Sequence, residues 1–195
     1  MQKKNFVIAA VLLLTLSLTI ILSYSFSSRD NNSGSIMHHS SSTSGKNLSG
    51  SDAMFLQMMI PHHEQAILIS EFALKKSKNP KLLTLANTII STQSKEISQM
   101  KKWLSDDGLG EDPGHSMDGM SGMLTQDQIS ELESSTGREF DRLFLSGMIA
   151  HHEGALEMVS MISTSKVLAL KTFGETISNS QAEEILAMRE LLTDL

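Results

Sequence analysis

Met59-Ile60-Pro61-His62-His63-Glu64-Gln65-Ala66 returns later in the chain as Met148-Ile149-Ala150-His151-His152-Glu153-Gly154-Ala155. The likeness extends outward from these two strings. Residues 52–69 align with 141–158 at an offset of 89, and 9 of the 18 positions are identical. A second block, 86–104, aligns with 174–192 at an offset of 88. There Thr88, Ile89, Gln93, Glu96, Ile97, Met100 and Leu104 match Thr176, Ile177, Gln181, Glu184, Ile185, Met188 and Leu192. The one-residue change of register fits two hairpins whose turns differ in length. The repeating unit is a helix–turn–helix used twice.

Punctuation divides the repeats into four helices, near 52–77, 80–104, 138–163 and 166–193. Asn79-Pro80 is an N-cap followed by Pro at the first helical position. Ser51 or Asp52 can cap the first helix, Gly137 breaks the chain before the third, and Thr164 or Ser165 can cap the fourth. The connection 105–137 is long and contains a short helix, 126–134, capped by Thr125. The expected fold is all-α: a four-helix bundle built from two repeated, antiparallel helical hairpins.

Helical periodicity places polar residues on the core faces. Phe55, Met59, His62, Ala66, Ile69 and Ala73 share one stripe, with His63 on its flank and Glu64 facing water. The third helix repeats this with Phe144, Met148, His151, Ala155 and Met158 inward, His152 flanking and Glu153 outward. Gln93 and Met100, and likewise Gln181 and Met188, lie on the inner faces of the second and fourth helices, beside Glu96 and Glu184. Antiparallel pairing about a turn near residue 79 sets His62 level with Glu96. The same pairing brings His151 near Gln181 and Glu184.

An unpaired buried polar group costs roughly 2–7 kcal/mol. A closed His–Gln–Glu hydrogen-bond network would explain one such constellation, but here it occurs twice, each time with Met three residues before the His. Imidazole and thioether donors without thiolate suit Cu(I) and, by the same softness, Ag(I). The connector adds His115, Met117, Met120 and Met123 in a Gly-rich stretch, where the methionines are expected to have no core to fill. Met37-His38-His39 is a further His-containing string, in a Ser-rich stretch.

Composition narrows the function. The chain has 195 residues, 22 acidic and 16 basic, for a net charge of −6. An acidic chain lacks the cationic surface on which nucleic-acid affinity depends, so no nucleic-acid partner is expected. Cys is absent, which excludes disulfides, thiolate metal sites and Cys nucleophiles. Residues 1–28 carry Lys3 and Lys4 ahead of a 21-residue run, 6–26, with 16 apolar positions and no charge. That is long enough to cross a bilayer, with the following chain exported. A membrane anchor and a cleaved signal peptide both fit. Residues 29–51 read as a flexible Ser/Gly-rich linker and 52–195 as the metal-binding domain.

The doubled His-His strings, together with Phe140-Asp141-Arg142-Leu143-Phe144-Leu145 and Gln93-Ser94-Lys95-Glu96-Ile97-Ser98-Gln99-Met100-Lys101-Lys102-Trp103-Leu104, resemble the domain-of-unknown-function 305 family over about 52–193. The resemblance implies a ferritin-like bundle, exported, with some members binding copper or silver and aiding tolerance of them. The matching positions are His62, His63, Met59, Met100, His151, His152, Met148 and Met188. Two departures stand out between the copies: Gly147 where the first has Met58, and Met158 where the first has Ile69. The expected function is extracytoplasmic binding of Cu(I) or Ag(I) in the cell envelope, for tolerance, buffering or transfer to a copper-exporting or copper-accepting protein, without turnover. A metal-free helical scaffold and a di-metal oxidase are the competing readings. The oxidase is disfavoured because no Glu-x-x-His stands at the motif.

Overall fold

The computed structural model describes residues 48–112, 114 and 119–195. The 6–26 apolar run, Met37-His38-His39, His115 and Met117 lie outside the described residues. Among the described residues the chain forms five α-helices and no strand: α1 Gly50–Lys76, α2 Pro80–Asp106, α3 Gln126–Ser134, α4 Gly137–Val159 and α5 Leu168–Asp194. None of these helices is long and apolar enough to cross a membrane.

Local chemistry sets the helix ends. Asn79 caps α2, accepting from the Lys81 and Leu82 amides through Oδ1, and Thr125 caps α3. The cap of α1 is Ser49 rather than Ser51 or Asp52. Ser49 Oγ accepts from the Asp52 amide while Asp52 Oδ2 accepts from the Ser49 amide, so Asp52 serves as the returning half of a capping box. The last helix begins at Leu168, two residues later than expected, after Val167, which gives no side-chain cap. Ser165 instead binds the Val167 amide. The third predicted helix ends at Val159 and tightens into a 3₁₀ turn, Ser160–Ile162.

The four long helices pack antiparallel to their neighbours. Short turns join α1 to α2 and α4 to α5. Lys81 at the start of α2 pairs with Asp194 at the end of α5 at 2.9 Å, and Trp103 meets Phe173 edge-on at 5.0 Å near the opposite ends. Across α1 and α4, Phe55 packs in one cluster with Met158 and Ile162, while Ile69 and Ala73 pack with Phe140 and Phe144 in another. The described parts of the connector therefore lie along α1, from one end of the bundle to the other. Gln57 Nε2 donates to the Gly110 and Asp112 carbonyls near its start. Lys76 donates to the Glu133 and Ser135 carbonyls near its end.

The core is divided. One apolar cluster contains Ile69, Leu82, Ile89, Phe140, Phe144, Met148 and Met188. The other contains Phe55, Met59, Met100, Leu104, Met158 and Ile177. Along each long helix the residues between them are polar and buried: His62 and His63, Gln93 and Glu96, His151 and His152, Gln181 and Glu184. A polar layer thus crosses the middle of the bundle.

Phe144 is fully buried, so Phe144→Ala should destabilise the fold by about 3–5 kcal/mol. Leu186, which is 65% exposed, should tolerate Ala within about 0.5 kcal/mol. Urea unfolding of the two variants checks the contrast.

Candidate metal centre

Each His-His pair sits in the middle of its helix, and all four rings are fully buried. The buried residues of α1 run from Asp52 to Ala73 and include Leu56, Ile60, His63 and Ser70. At 100° per residue they span an arc of about 180°. A helix with two packing neighbours buries that much, so adjacent positions both turn inward. This corrects the expectation that His63 and His152 lie on a flank.

The wide arc also reassigns the partners. His63 Nε2 donates to Glu96 Oε2 at 2.8 Å, and His152 Nε2 donates to Glu184 Oε2 at 2.6 Å. The expected neighbours of these carboxylates were His62 and His151. Instead the His62 and His151 rings face each other across α1 and α4, with centroids 3.7 Å apart and planes tilted by 38°. One ring of each pair is thus held within its own hairpin, and the other meets the opposite hairpin.

Several donors in this layer have no protein partner. Nδ1 of all four His, Nε2 of His151 and both amide atoms of Gln93 and Gln181 are buried without a hydrogen bond. Such orphans are rare in folded proteins and expensive. The central rings are held neutral. Burial, reinforced by the charge of neighbouring His63, pushes the His62 pKa down to about 3 against a partial offset from its bond to Ser121. Burial first, and then the facing His62, push His151 well below its ordinary value. A neutral imidazole with a free lone pair is the state that ligates a metal.

The methionines flank this layer unequally. Met59, Met100 and Met158 are buried in one cluster, and Met148 and Met188 in the other. Met120 is half-buried and packs against the first cluster, which corrects the expectation that connector methionines have no core to fill. Met58 and Met161 join the same cluster from its margin. Met123 is half-buried in the connector. Glu64 and Glu153 face outward, paired with Lys101 at 3.3 Å and Arg189 at 2.7 Å. Among the described residues no three His, Asp or Glu side chains converge closely enough to hold an ion by themselves. Other donors in or beside the layer are the Gln93 and Gln181 amides and the flanking methionine sulfurs.

Sequence reasoning missed one element of this centre. The Ser121 carbonyl accepts from His62 Nε2 at 3.3 Å. Its only trace in the sequence is the replacement of Gln65 by Gly154 between the two otherwise matched motifs.

The sequence pattern described as Domain of unknown function (DUF305) matches residues 52–192. The chain belongs to the DUF305 family. A solved DUF305 fragment from Deinococcus radiodurans is 26% identical, superposes with a TM-score of 0.72, and is matched over 77% of this chain and 100% of that one. A DUF305 protein from Streptomyces coelicolor, taken to be secreted, is 27% identical with a TM-score of 0.70 over 74% of this chain and 93% of that one. CopM in its Cu(I)-bound form is 32% identical with a TM-score of 0.63 over 73% of this chain and 96% of that one. CopM has also been solved with Cu(II) and with Ag. An uncharacterized protein of Acanthamoeba polyphaga mimivirus is 38% identical over 55 residues, which span 28% of this chain and 36% of that protein.

The neutral rings make the metal-free protein acid-sensitive. The folded pKa of His62 lies near 3 and the unfolded one near 6.5, so the unfolded chain binds the extra proton between these values. Stability contributed by neutral His62 is complete above pH 6.5 and falls at up to about 1.4 kcal/mol per pH unit below it. His151 acts in the same direction. Denaturant midpoints measured in chelator from pH 7.5 to 5 should fall for the wild type and flatten for His62→Leu/His151→Leu.

Proposed function

We propose that this protein binds a soft metal ion, Cu(I) or Ag(I), outside the cytoplasm, and that it buffers the ion or hands it over rather than catalysing a reaction. The observation that carries the reading is the facing His62–His151 pair: two neutral, buried rings with three nitrogens lacking partners. Met59 stands one turn before His62, and Met148 one turn before His151. Thioether beside imidazole favours Cu(I) and Ag(I) over hard cations. We assign His62, His151, Met59 and Met148 as the first candidate ligands, with Met100, Met188 and Met158 as further sulfur donors. His63 and His152 offer Nδ1, because their Nε2 atoms are engaged by Glu96 and Glu184.

The copper- and silver-bound forms of CopM support this reading through shared fold and about 30% identity. The Lys-flanked apolar run at 6–26 supports an envelope location, by anchor or by export, and a copper exporter or acceptor is the natural partner. His115, Met117, Met120 and Met123 add connector donors of the same softness for exchange. A ferritin-like di-metal oxidase is a poorer fit, because Glu64 and Glu153 point into solvent and the polar layer, among the described residues, holds two carboxylates, Glu96 and Glu184.

A scaffold role and a ligand role predict opposite responses to one substitution. If His62 and His151 exist to bind metal, replacing orphaned polar rings by Leu of comparable volume should leave metal-free stability equal or higher. The same variant should lose Cu(I) uptake in an anaerobic titration of the full chain against a chromogenic Cu(I) chelator. A destabilised variant that still retains wild-type Cu(I) binding would refute the assignment. His63→Leu, by contrast, leaves Glu96 buried and unpaired, and should cost about 1–3 kcal/mol.

A further inference from the structure

Residues 119–124 cross the bundle over the His62–His151 pair. Met120 packs on one apolar cluster and Leu124 on the other, so the segment spans the polar layer. It is fixed at both ends. Gln65 grips Leu124 twice: Oε1 accepts from the Leu124 amide at 2.8 Å and Nε2 donates to the Leu124 carbonyl at 3.0 Å. Ser121 Oγ donates to Glu157 Oε2 at 2.6 Å. Between these points the backbone lies directly on α4. A Cβ added at Gly154 would stand 2.1 Å from the Ser121 carbonyl oxygen. Gly122, at φ +80°, has room for no side chain, since a Cβ there would stand 2.6 Å from the Ala150 oxygen and 2.8 Å from the His151 oxygen.

The repeat shows that both helices are adapted to this segment. The position filled by Gln65 in the first copy, where it holds Leu124, is filled by Gly154 in the second, where it makes room for Ser121. The position filled by Met58 is filled by Gly147, where an added Cβ would stand 3.2 Å from the Leu124 side chain. The two glycines lie four residues before and three residues after His151, at the helical spacing of one face. The two departures from internal symmetry at these positions thus serve one purpose, to seat a connector that exists in a single copy.

We propose that residues 119–124 form a strap that governs access of the metal ion to the His62–His151 pair. In the closed arrangement the strap covers the rings, and the Ser121 carbonyl holds His62 Nε2 as a donor, leaving Nδ1 as its ligating atom. Lifting the strap exposes the pair and frees the second nitrogen. The inference rests on the soft-metal reading, and its test separates the two.

Gly154→Ala displaces Ser121, and Gln65→Ala removes both bonds to Leu124 while leaving α4 untouched. Amide hydrogen exchange of the full chain, read by mass spectrometry on peptides covering 119–126, reports the strap without any metal. Anaerobic stopped-flow transfer of Cu(I) from its bicinchoninate complex reports access. Either variant should exchange faster over 119–124, and capture Cu(I) faster, each by about five- to tenfold. Faster exchange with an unchanged capture rate overturns the strap and leaves metal binding standing. Unchanged exchange in both variants overturns it as well. A wild-type chain that captures no Cu(I) overturns the strap and the metal reading together.

Discussion

A layer of four imidazoles, two amides and two carboxylates across the middle of a helical bundle is the constraint around which this molecule is organised. Polar groups taken from water cost free energy unless they find partners. Here only part of the layer finds them inside the chain. His63–Glu96 and His152–Glu184 are closed pairs. Nδ1 of His62, both nitrogens of His151 and the Gln93 and Gln181 amides find none. Apolar clusters on both sides of the layer supply the burial that holds the helices together despite it. The division of the core into two clusters is thus the structural counterpart of keeping the layer in place.

The adjacency of the two histidines in each motif has a geometric role. Neighbouring helical positions differ by 100°, which matches the directions from α1 to its two partners, α2 and α4. His63 reaches α2 through Glu96, and His62 reaches α4 through His151. A single motif thereby touches both helix–helix interfaces at one level of the bundle. Zinc-hydrolase motifs place two His four residues apart on one face of a helix. A tandem pair does something else: it brings one ring from each hairpin to the interface between them.

The internal repeat made most of this legible. Helix count, the Asn79 cap, the short helix Gln126–Ser134 and the burial of His62, His151, Gln93 and Gln181 follow from periodicity and punctuation alone. The pairing within the layer did not follow. It was read from a narrow stripe centred on Phe55, whereas two packing neighbours widen the buried arc and shift its centre toward His63. Met120 has no core to fill on composition alone, because loop composition says nothing of where a connector lies, and its described parts lie along α1. The Ser121 carbonyl was invisible for a related reason. A backbone acceptor carries no sequence identity, and only the glycine that admits it leaves a mark.

Duplication would by itself give two equal half-sites, and the connector is what prevents that. It occurs once, and residues 119–124 cross the layer on the face between α1 and α4, with no counterpart between α2 and α5 among the described residues. Sulfur is distributed unequally as well, between the two clusters that the connector joins. Met59, Met100 and Met158, with Met58, Met120 and Met161 at the margin, pack on one side, against Met148 and Met188 on the other. Ile69 stands where symmetry would place a partner for Met158, and Gly147 where it would place one for Met58. A soft ion at the His62–His151 pair would therefore sit between a methionine-rich cluster and a methionine-poor one. Ligand exchange would then be easier toward the side that offers more thioethers. A nearly two-fold bundle thus acquires a direction, from substitutions that cost the repeat its symmetry and leave its helices intact.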